Sequence, residues 1–519
     1  MISVRNDLTF IESDDDPRTA AGLAAIDREA SYSSPQYAVY CRLCRRWIAR
    51  GFTRHLTSEH NTNVIQYAER FPGSRTKPDL QRRVHVMSQS KRYGSYIVPT
   101  GLLDLVTVKL PHIAVNDRRR RPADRRSFEW TGPEPRAYQV EAIQAALRPN
   151  PPRGLIESPI RSGKTLIAAR IIRRLGWKTV FVVETDILLR QTTRALSGYL
   201  GGEEIGVAGG GKWAPRWITV ATVQTLLKRE AVAKELLDGT DLLIVDEIHH
   251  MKADRWREPI VSCDAWGKIG LSATIFSTDG TGVWLRAACG PKLCEVSVSR
   301  LVGEGYLMAP LVLIYDPTPM SAVGVARSTA YSTAYRDAIV RSTVRNAMIA
   351  DLAEDGARRG MCTLIDTGRV EQLKILKTML ETRGVNVETI YGQTPSPVRD
   401  RLLEKFSRGE IQVLIGTVLG EGVDIPELEM VINAEGLASK ISTIQRLRNL
   451  TIHTGKSRVI VVDFSDQYNR HLKRHADGRI AVYRDHLGFD VRAVWGASGG
   501  AKLPVDLIGD VPVEEGVET

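Results

Sequence analysis

The sequence predicts an α/β protein with two successive lobes, each built on a parallel β-sheet, and a small Cys/His module ahead of them. Short apolar strands alternate with helical patterns from about residue 128 to 300 and again from about 305 to 470. Repeated strand–helix units are typical of parallel sheets that carry helices on both faces. A chain of 519 residues is also too long for one hydrophobic core.

Lobe 1 is predicted to span residues 128–302 and lobe 2 residues 303–475. The apolar runs that we predict as strands are Thr179–Val183, Trp217–Ala221, Leu242–Val245 and Ile269–Leu271 in lobe 1. Those of lobe 2 are Thr363–Ile365, Val387–Ile390, Val413–Ile415, Met430–Asn433 and Val459–Asp463.

The segments outside the lobes are less regular. Residues 1–35 are polar and include the acidic run Asp14–Asp16, so we expect a flexible tail. Residues 476–519 form a C-terminal extension that is Gly-rich from about residue 490, where weak order is expected.

Residues 76–127 are predicted to form a basic linker, whose middle, Tyr96–Val115, is apolar enough for a strand or two. Its end carries Arg118–Arg121, Arg125 and Arg126. This arginine block fits either a solvated linker or an arm that contacts phosphates.

Composition narrows the class of protein. The net charge of +11 and the pI of about 9.3 suit a polyanionic partner. Six Cys in 519 residues do not make a disulfide framework. The chain has no apolar run long enough to span a bilayer and no N-terminal leader pattern, so we expect a cytoplasmic protein.

The Cys/His module, predicted over residues 36–75, has the spacing of a zinc site. Cys41 and Cys44 are separated by two residues, and His55 and His60 follow about one helical turn apart. Two thiolates and two imidazoles supply the tetrahedral ligand set that Zn²⁺ prefers. A segment this small needs the metal in order to fold.

The stretch Cys41–Gly73 resembles the Ros/MucR class of prokaryotic zinc-finger DNA-binding proteins. The resemblance implies binding of duplex DNA, with Arg45 and Arg46 among the residues that contact phosphates.

A phosphate-binding loop is predicted at residues 158–165, which read Ser-Pro-Ile-Arg-Ser-Gly-Lys-Thr. It lies between the apolar run Gly154–Ile156 and a helical run, Leu166–Leu175. In such a loop the backbone N–H groups and the helix N-terminus face the phosphates of ATP, here from Ser158, Ser162 and Gly163.

Two side chains of this loop carry the chemistry. Lys164 is expected to reach the β- and γ-phosphate oxygens, and the Thr165 hydroxyl is expected to hold Mg²⁺. The loop departs from the common pattern at two positions, since Ser158 and Arg161 stand where glycine is usual.

A second motif, about 80 residues downstream, complements the loop. The apolar strand Leu243–Val245 ends in Asp246 and Glu247. At the carboxyl edge of a parallel sheet, Asp246 can hold Mg²⁺ through water and Glu247 can polarise the attacking water.

With these motifs the chain resembles the superfamily 2 helicases and translocases over about 340 residues, which implies two RecA-like lobes. The resemblance assigns adenine recognition to Gln139 in Arg136–Gln139, and contact with a nucleic-acid strand to Thr222 and Gln224. Ser272–Thr274 resembles the motif that couples the two lobes.

Lobe 2 continues the resemblance. Thr363–Asp366 with Gly368 is similar to the opening of the family's second lobe, and Gly416–Pro426 is similar to its fifth motif. In that motif the resemblance implies that Thr417 touches the nucleic-acid backbone and that Gly422 and Asp424 lie near the nucleotide.

The family's sixth motif is altered here. It usually reads Gln-x-x-Gly-Arg-x-x-Arg, but Asn449 and Ile452 occupy the two Arg places after Gln445. An arginine finger must bring a guanidinium to the γ-phosphate, and either Arg448 or Arg446 is the candidate. The alternative is that the finger is weak and hydrolysis is slow.

The resemblance therefore implies an ATP-dependent DNA helicase or translocase of replication, recombination or repair, which hydrolyses ATP between two RecA-like lobes. ATP, Mg²⁺ and Zn²⁺ are the expected cofactors, and DNA is the expected partner. Two alternatives remain open: the motor subunit of a restriction-type system without unwinding activity, and a DNA-binding regulator switched by ATP.

Overall fold

The structure is a computed structural model that divides into two compact units, Met1–Val296 and Ser297–Thr519. This boundary lies close to the one predicted after residue 302. The described residues are 2–4, 8–12, 16–34, 39–41, 46–48, 82–85, 87–89, 95–159, 161–252, 254–273, 275, 282–307, 310–317, 331–417, 428–437, 459–494 and 501–508.

The first unit contains an N-terminal part and lobe 1. Its strands are β1 (Ile2–Val4), β2 (Leu8–Ile11), β3 (Ser31–Ser34), β4 (Val39–Cys41), β5 (Arg46–Ile48), β6 (Arg82–His85), β7 (Ser88–Gln89), β8 (Tyr96–Pro99), β9 (Val115–Asp117), β10 (Arg153–Glu157), β11 (Thr179–Val183), β12 (Gly206–Gly209), β13 (Lys212–Ala214), β14 (Ile218–Thr222), β15 (Leu242–Val245), β16 (Gly267–Ser272) and β17 (Lys292–Glu295). Its α-helices are Pro17–Glu29, Leu103–Lys109, Ala137–Leu147, Lys164–Leu175, Asp186–Tyr199, Val223–Lys228, Glu230–Asp238, Asp254–Val261 and Gly282–Cys289, and 3₁₀ turns cover Thr100–Leu102 and Ile248–Lys252.

The N-terminal part forms a sheet of its own, in the order β7-β8-β2-β1-β9. Ile2, Val4 and Ile11 are fully buried there, and helices Pro17–Glu29 and Leu103–Lys109 contribute to the same core. Residues 1–35 were predicted as a flexible tail, and the structure instead shows strands and a helix in this region. Local composition could not reveal this fold, because the residues that cover it come about a hundred positions later.

The N-terminal sheet packs against lobe 1 through helix Gly282–Cys289. Ala287 of that helix belongs to the N-terminal core, and Arg286 Nη2 donates to Asp104 Oδ2 at 2.7 Å. A Cβ atom at Gly101 would lie only 2.3 Å from the Arg286 carbonyl oxygen, so the backbones approach as closely as glycine allows.

The arginine block lies against lobe 1. Arg120 Nη1 donates to Asp241 Oδ1 at 2.8 Å, and the Arg126 N–H donates to the Gly176 carbonyl at 2.8 Å. Cation–π contacts join Arg119 and Arg121 to Trp266, Arg125 to Trp177, and Arg126 to Trp217. Since these guanidinium groups stack on tryptophan rings, the block is an anchored strap rather than a solvated linker.

Lobe 1 is an α/β layer structure, as predicted. Its sheet has the order β13-β12-β14-β11-β15-β16-β10-β17, and all neighbouring pairs are parallel except β12 with β13. The predicted strands Thr179–Val183 and Leu242–Val245 are confirmed to the residue. They read as unbroken apolar runs because both faces of the sheet are buried, each in its own hydrophobic cluster.

Lobe 2 is a fully parallel sheet in the order β20-β21-β19-β22-β23-β18-β24. Its strands are β18 (Leu311–Tyr315), β19 (Thr363–Asp366), β20 (Val387–Ile390), β21 (Val413–Gly416), β22 (Met430–Asn433), β23 (Ile460–Phe464) and β24 (Asp490–Val494). Its α-helices are Val298–Gly303, Tyr331–Tyr335, Thr343–Arg358, Val370–Glu381, Ser396–Ser407, Arg470–Ala481 and Val505–Ile508, and π-helical turns cover Arg336–Val340 and Val482–His486.

The C-terminal extension differs from its expected weak order. Strand β24 completes the edge of the lobe 2 sheet by pairing with β18, and Ala501 and Leu503 are buried in the lobe 2 core. The extension is therefore part of lobe 2 wherever it is described.

Most of the Cys/His module lies outside the described residues, including Cys44, His55 and His60. Within the described ranges, no group of three or more His, Cys, Asp or Glu side chains is placed to hold a metal ion. None of the helices in those ranges is both long enough and apolar enough to cross a membrane.

Candidate functional site

The predicted phosphate-binding loop, residues 158–165, joins β10 to helix Lys164–Leu175. Gly163 caps this helix in the left-handed region, with φ of 78° and ψ of 40°. The helix N-terminus therefore lies at the loop, as the sequence predicts. The Ser158 N–H instead donates to the Ser272 carbonyl at 2.8 Å and the Ser162 N–H to the Pro159 carbonyl at 3.2 Å, so these two amides do not face a phosphate as predicted.

Arg161 explains one of the two departures from the common loop pattern. Its φ is 60°, a left-handed conformation that glycine adopts freely but that costs another residue about 1–2 kcal/mol. The backbone thus keeps the conformation that favours glycine at this position, and the arginine side chain is accommodated at a modest cost.

Gln139 is placed directly against the loop. Its Nε2 donates to the Ser162 carbonyl at 2.8 Å, and its Oε1 accepts from the Arg136 N–H at 2.8 Å. The neighbouring Tyr138 hydroxyl donates to the same carbonyl at 2.9 Å. A Cβ at Gly163 would lie 2.4 Å from Gln139 Nε2, so this glycine makes room for the glutamine.

The sequence had drawn attention to Gln139 but not to Tyr138. Tyr138 is fully buried, and its hydroxyl supports the same loop carbonyl. Its position beside Gln139 in the Arg-Ala-Tyr-Gln motif was the available signal. Recognition of adenine by Gln139 stays a prediction.

Lys164 brings the two predicted motifs together. Its Nζ lies 3.3 Å from Glu247 Oε1, and both side chains are largely buried, at 10% and 9% exposed. The same Nζ lies 3.5 Å from the Ser158 carbonyl oxygen. Phosphate oxygens of ATP would compete with Glu247 for this ammonium group, because both are anionic.

Asp246 and Glu247 follow β15, as predicted. The Asp246 N–H donates to the Val182 carbonyl at 2.9 Å, and Asp246 Oδ1 accepts from the Glu247 N–H at 3.0 Å. Glu247 has a φ of 47°, which is unusual for a residue with a side chain. Such strain costs about 1–3 kcal/mol and tends to persist at functional sites.

His249 links the carboxylates to the Ser-Ala-Thr motif. Its Nδ1 lies 2.8 Å from Ser272 Oγ and 3.3 Å from Glu247 Oε2. The Ser272 carbonyl in turn accepts from the Ser158 N–H at 2.8 Å. The three motifs of lobe 1 are thereby joined in one buried polar network.

Sequence reasoning gave His249 no role, although the two histidines after Asp246 and Glu247 were a visible signal. The second one, His250, pairs through Nε2 with Glu184 Oε2 at 3.3 Å. Glu184 follows β11, so these contacts tie neighbouring strand ends together.

The residues predicted to hold Mg²⁺ fit the ion chemically. Thr165 follows Lys164 in the helix and Asp246 precedes Glu247, so each predicted ligand adjoins one member of the Lys164–Glu247 pair. Mg²⁺ prefers oxygen ligands and keeps several waters. Thr165 and Asp246 would hold it there, and it would neutralise phosphate charge.

The predicted nucleic-acid contacts differ in accessibility. Thr222 is buried and donates from Oγ1 to Thr225 Oγ1 at 2.9 Å, whereas Gln224 is exposed. Thr417 follows β21 and is partly exposed, and its N–H donates to the Ile390 carbonyl at 3.2 Å. Gln224 and Thr417 are thus available to a ligand without rearrangement.

Several predicted site residues lie outside the described part of the chain. They are Arg45, Thr274, Gly422, Asp424, Gln445, Arg446 and Arg448. Arg46 is described only as part of β5.

Two family models match the chain. Residues 132–277 match the family described as "Type III restriction enzyme, res subunit", and residues 345–448 match "Helicase conserved C-terminal domain". The first covers the phosphate-binding loop and the Asp246–Glu247 motif, and the second covers the altered sixth motif up to Arg448.

Two curated proteins show related sequences. "Probable helicase D10" of Escherichia phage T5 is 30% identical over 332 residues, which cover 62% of this chain and 70% of that protein. "DNA 3'-5' translocase XPB2" of Sulfurisphaera tokodaii is 25% identical over 360 residues, which cover 63% of this chain and 81% of that protein.

A solved structure supports the fold. The "ATP-dependent Type ISP restriction-modification enzyme LlaBIII bound to DNA" superposes with a TM-score of 0.53 and 14% identity, over 71% of this chain and 31% of that one. Parallel-sheet RecA-like lobes with a phosphate-binding loop facing an Asp-Glu pair define a nucleotide-hydrolysing motor. The chain belongs to the superfamily 2 helicases and is an ATP-dependent helicase or translocase.

Proposed function

We propose that this motor acts on DNA and moves along it in the 3′-to-5′ direction, either unwinding the duplex or translocating on it. The observation that carries the ATP-driven part of the proposal is the contact of Lys164 with Glu247, joined through His249 to Ser272. The relative named as a DNA 3'-5' translocase supports both the substrate and the direction. The net charge of +11 suits a polyanionic partner.

The chemistry needs no covalent intermediate. Lys164 holds the β- and γ-phosphates, and the N–H groups at the start of helix Lys164–Leu175 donate to the same oxygens. Once phosphates take over Lys164, the Glu247 carboxylate orients a water for in-line attack on the γ-phosphorus and accepts its proton. The bond to the β–γ bridging oxygen breaks, and ADP and phosphate leave. Mg²⁺, when bound, neutralises charge on the phosphate oxygens.

His249 couples the ATP site to the Ser-Ala-Thr motif. Its ring contacts both Glu247 and Ser272, so a change at the γ-phosphate alters a hydrogen bond to the Ser-Ala-Thr motif. That motif is the one whose family counterpart couples hydrolysis to motion. The motor cycle therefore starts from a network in which the loop, the carboxylates and Ser272 are already connected.

Strand displacement on forked and tailed DNA tests the proposal. Duplexes with a 3′ tail, a 5′ tail or a fork are incubated with ATP, and streptavidin displacement from tailed single strands is measured in parallel. We expect activity on 3′-tailed and forked DNA, and none with Lys164→Ala. Activity restricted to 5′ tails would overturn the direction, and hydrolysis with neither unwinding nor displacement would favour an ATP-switched regulator.

We further propose that Cys41, Cys44, His55 and His60 bind one Zn²⁺ in a Ros/MucR-like, DNA-binding module. The described backbone supports a hairpin here, since β4 and β5 are antiparallel and Cys41 pairs with Arg46. A hairpin that carries Cys-x2-Cys between its strands is a common way to present two thiolates. Elemental analysis of the purified full chain should find about one zinc per chain, and His60→Ala should lower it. A chain without zinc that still folds and binds duplex DNA would contradict the proposal.

A further inference from the structure

Lobe 2 contains a buried charge cluster that the proposed reaction does not use. Arg345 donates from Nε to Asp466 Oδ1 at 2.8 Å and from Nη2 to Oδ2 at 3.3 Å. Arg479 donates from Nε and Nη2 to Asp463, each at 2.9 Å. All four side chains are almost fully buried. Asp463 lies near the end of β23 and Asp466 just beyond it, whereas the two arginines come from helices Thr343–Arg358 and Arg470–Ala481.

The two aspartates of this cluster differ: burial raises the pKa of Asp466 above its ordinary value despite the neighbouring Arg345 and Arg479 guanidinium groups, whereas the pKa of Asp463 is lowered. Burial alone would raise the pKa of Asp463, but the Arg479 guanidinium, together with hydrogen bonds from the Phe464 N–H and Asn433, holds it below its ordinary value. The Tyr483 hydroxyl also donates to Asp463 Oδ2 at 2.8 Å. The Arg479–Asp463 pair is therefore charged throughout the neutral range, and its hydrogen bonds have a fixed geometry.

The cluster reaches out to the segment that follows β22, which we call the exit loop (residues 434–437). Arg345 Nη1 donates to the Ala434 carbonyl at 2.7 Å, and Arg479 Nη1 donates to the Leu437 carbonyl at 3.3 Å. Between them, the Tyr335 hydroxyl donates to the Glu435 carbonyl at 2.8 Å. Three of four successive carbonyls are thus held by side chains from three separate helices.

Two glycines show how tightly the exit loop is held. Gly436 has a φ of 69°, and a Cβ there would lie 3.4 Å from Asp466 Oδ2. A Cβ at Gly368 would lie 2.6 Å from Glu435 Cγ and 2.9 Å from the Tyr335 hydroxyl. Gly368 belongs to the motif that opens lobe 2, so the exit loop is fixed against that motif as well.

Stability alone does not account for such a cluster. A buried ion pair is often no more stabilising than well-packed apolar side chains of similar volume, because its charges lose their hydration. A planar guanidinium, however, fixes several acceptors at once in one geometry. Here each arginine donates from Nε and Nη2 to an aspartate and from Nη1 to a backbone carbonyl.

The exit loop leads directly into residues 438–458, which contain Gln445, Arg446 and Arg448. We propose that Tyr335, Arg345 and Arg479 are positioning residues that fix the exit loop and thereby set where the finger-bearing segment begins. They act through the backbone of residues 434–437, whose carbonyls accept their hydrogen bonds. This inference rests on the proposed ATP-driven function.

Tyr335→Phe is the most informative variant, because it removes one hydroxyl and keeps the ring in its apolar cluster. Loss of one hydrogen bond to a buried carbonyl is worth about a 2- to 12-fold change in rate when the bond positions a catalytic group. We expect kcat of DNA-stimulated ATP hydrolysis to fall about fivefold. The KM for ATP should stay within about twofold, since the ATP-binding residues of lobe 1 are untouched.

Tyr331→Phe is the matched control. Tyr331 lies one helical turn earlier and stacks on Tyr335 at a centroid distance of 5.9 Å, so the same atom is removed from the same helix. It makes no described hydrogen bond to the exit loop, and its kcat should match the wild type. Arg345→Lys keeps the charge but loses the planar guanidinium that bonds Asp466 and the Ala434 carbonyl at the same time. It should therefore lower kcat more than Tyr335→Phe.

The outcomes separate the two claims. A Tyr335→Phe enzyme with wild-type kcat, or with a raised KM and unchanged kcat, would overturn the positioning role while leaving the motor intact. Equal losses in Tyr335→Phe and Tyr331→Phe would overturn it too, since they would reflect packing alone. Absence of ATP hydrolysis in the wild type would instead overturn the proposed function.

Discussion

Both lobes gather charged side chains near the carboxyl ends of their central strands, but the two groups are held differently. In lobe 1, Lys164 meets Glu247 at 3.3 Å and the Ser158 carbonyl at 3.5 Å. In lobe 2, Arg345 and Arg479 make hydrogen bonds as short as 2.7–2.9 Å to aspartates and carbonyls. Lys164 is thus held by two long contacts that a phosphate oxygen can replace, whereas each lobe 2 arginine is held by several hydrogen bonds, the shortest of them at 2.7–2.9 Å.

The difference teaches how to tell a ligand site from a scaffold when both are rich in charge. A ligand site keeps contacts that a phosphate can displace, and it stores strain, as the φ of 47° at Glu247 indicates. A scaffold uses its donors on neighbouring carbonyls and carboxylates, so no ligand can enter without breaking several bonds.

Glu247→Gln should give the largest effect on catalysis. The amide keeps the shape but cannot accept the proton of the attacking water, so kcat should fall about 10²- to 10⁴-fold. Binding of a fluorescent ATP analogue should remain, because Lys164 and the loop amides are intact. Turnover within tenfold of the wild type would remove Glu247 from the reaction.

Asp463→Asn should give the largest effect on stability. Breaking a buried ion pair costs about 3–5 kcal/mol, to be measured by urea unfolding at pH 7. Because the folded-state pKa of Asp463 lies below its ordinary 3.8, the wild type keeps this advantage at neutral pH. The difference between the two proteins should shrink only as the pH falls through and below that ordinary value. A difference that is the same at pH 3 and pH 7 would contradict this account.

His249→Ala should have an intermediate effect on the coupling of motifs. Loss of its contacts to Ser272 and Glu247 should lower DNA-stimulated kcat about tenfold. The double variant with Ser272→Ala should be little worse than either single variant, since both remove the same contact. Additive losses in that cycle would show that the two side chains act separately.

Arg161→Gly should have the smallest effect. Glycine relieves the strain of the left-handed backbone conformation, but it also raises the conformational entropy of the unfolded chain. Because these effects oppose each other, the free energy of unfolding should change by less than about 1 kcal/mol. ATP hydrolysis should stay within about threefold of the wild type, because the loop amides and Lys164 keep their places. A large loss of kcat would give the Arg161 side chain a role of its own.

Sequence patterns correctly predicted those strands and motifs whose structure depends mainly on residues close together in the chain. Val387–Ile390 and Met430–Asn433 lie between helical patterns in the alternation of lobe 2, and both are confirmed as strands. The phosphate-binding loop and the Asp246–Glu247 pair were recognisable because their chemistry demands fixed spacings.

Long-range partners account for what the sequence did not reveal. The N-terminal strands are covered by residues about a hundred positions away. The arginine block is anchored by tryptophans of lobe 1, and the sequence does not show that these residues meet. Arg345 and Arg479 carry no sequence signal, because their partners Asp466 and Asp463 lie 121 and 16 positions away along the chain. Only the fold shows that they meet at the exit loop.

Steady-state ATP hydrolysis by the wild type and by Lys164→Ala, with and without single-stranded DNA, tests the central claim most directly. The account predicts that DNA stimulates the wild type and that Lys164→Ala stays at background, while thermal unfolding and duplex DNA binding of the variant remain close to those of the wild type. DNA-stimulated hydrolysis that survives in Lys164→Ala would contradict it.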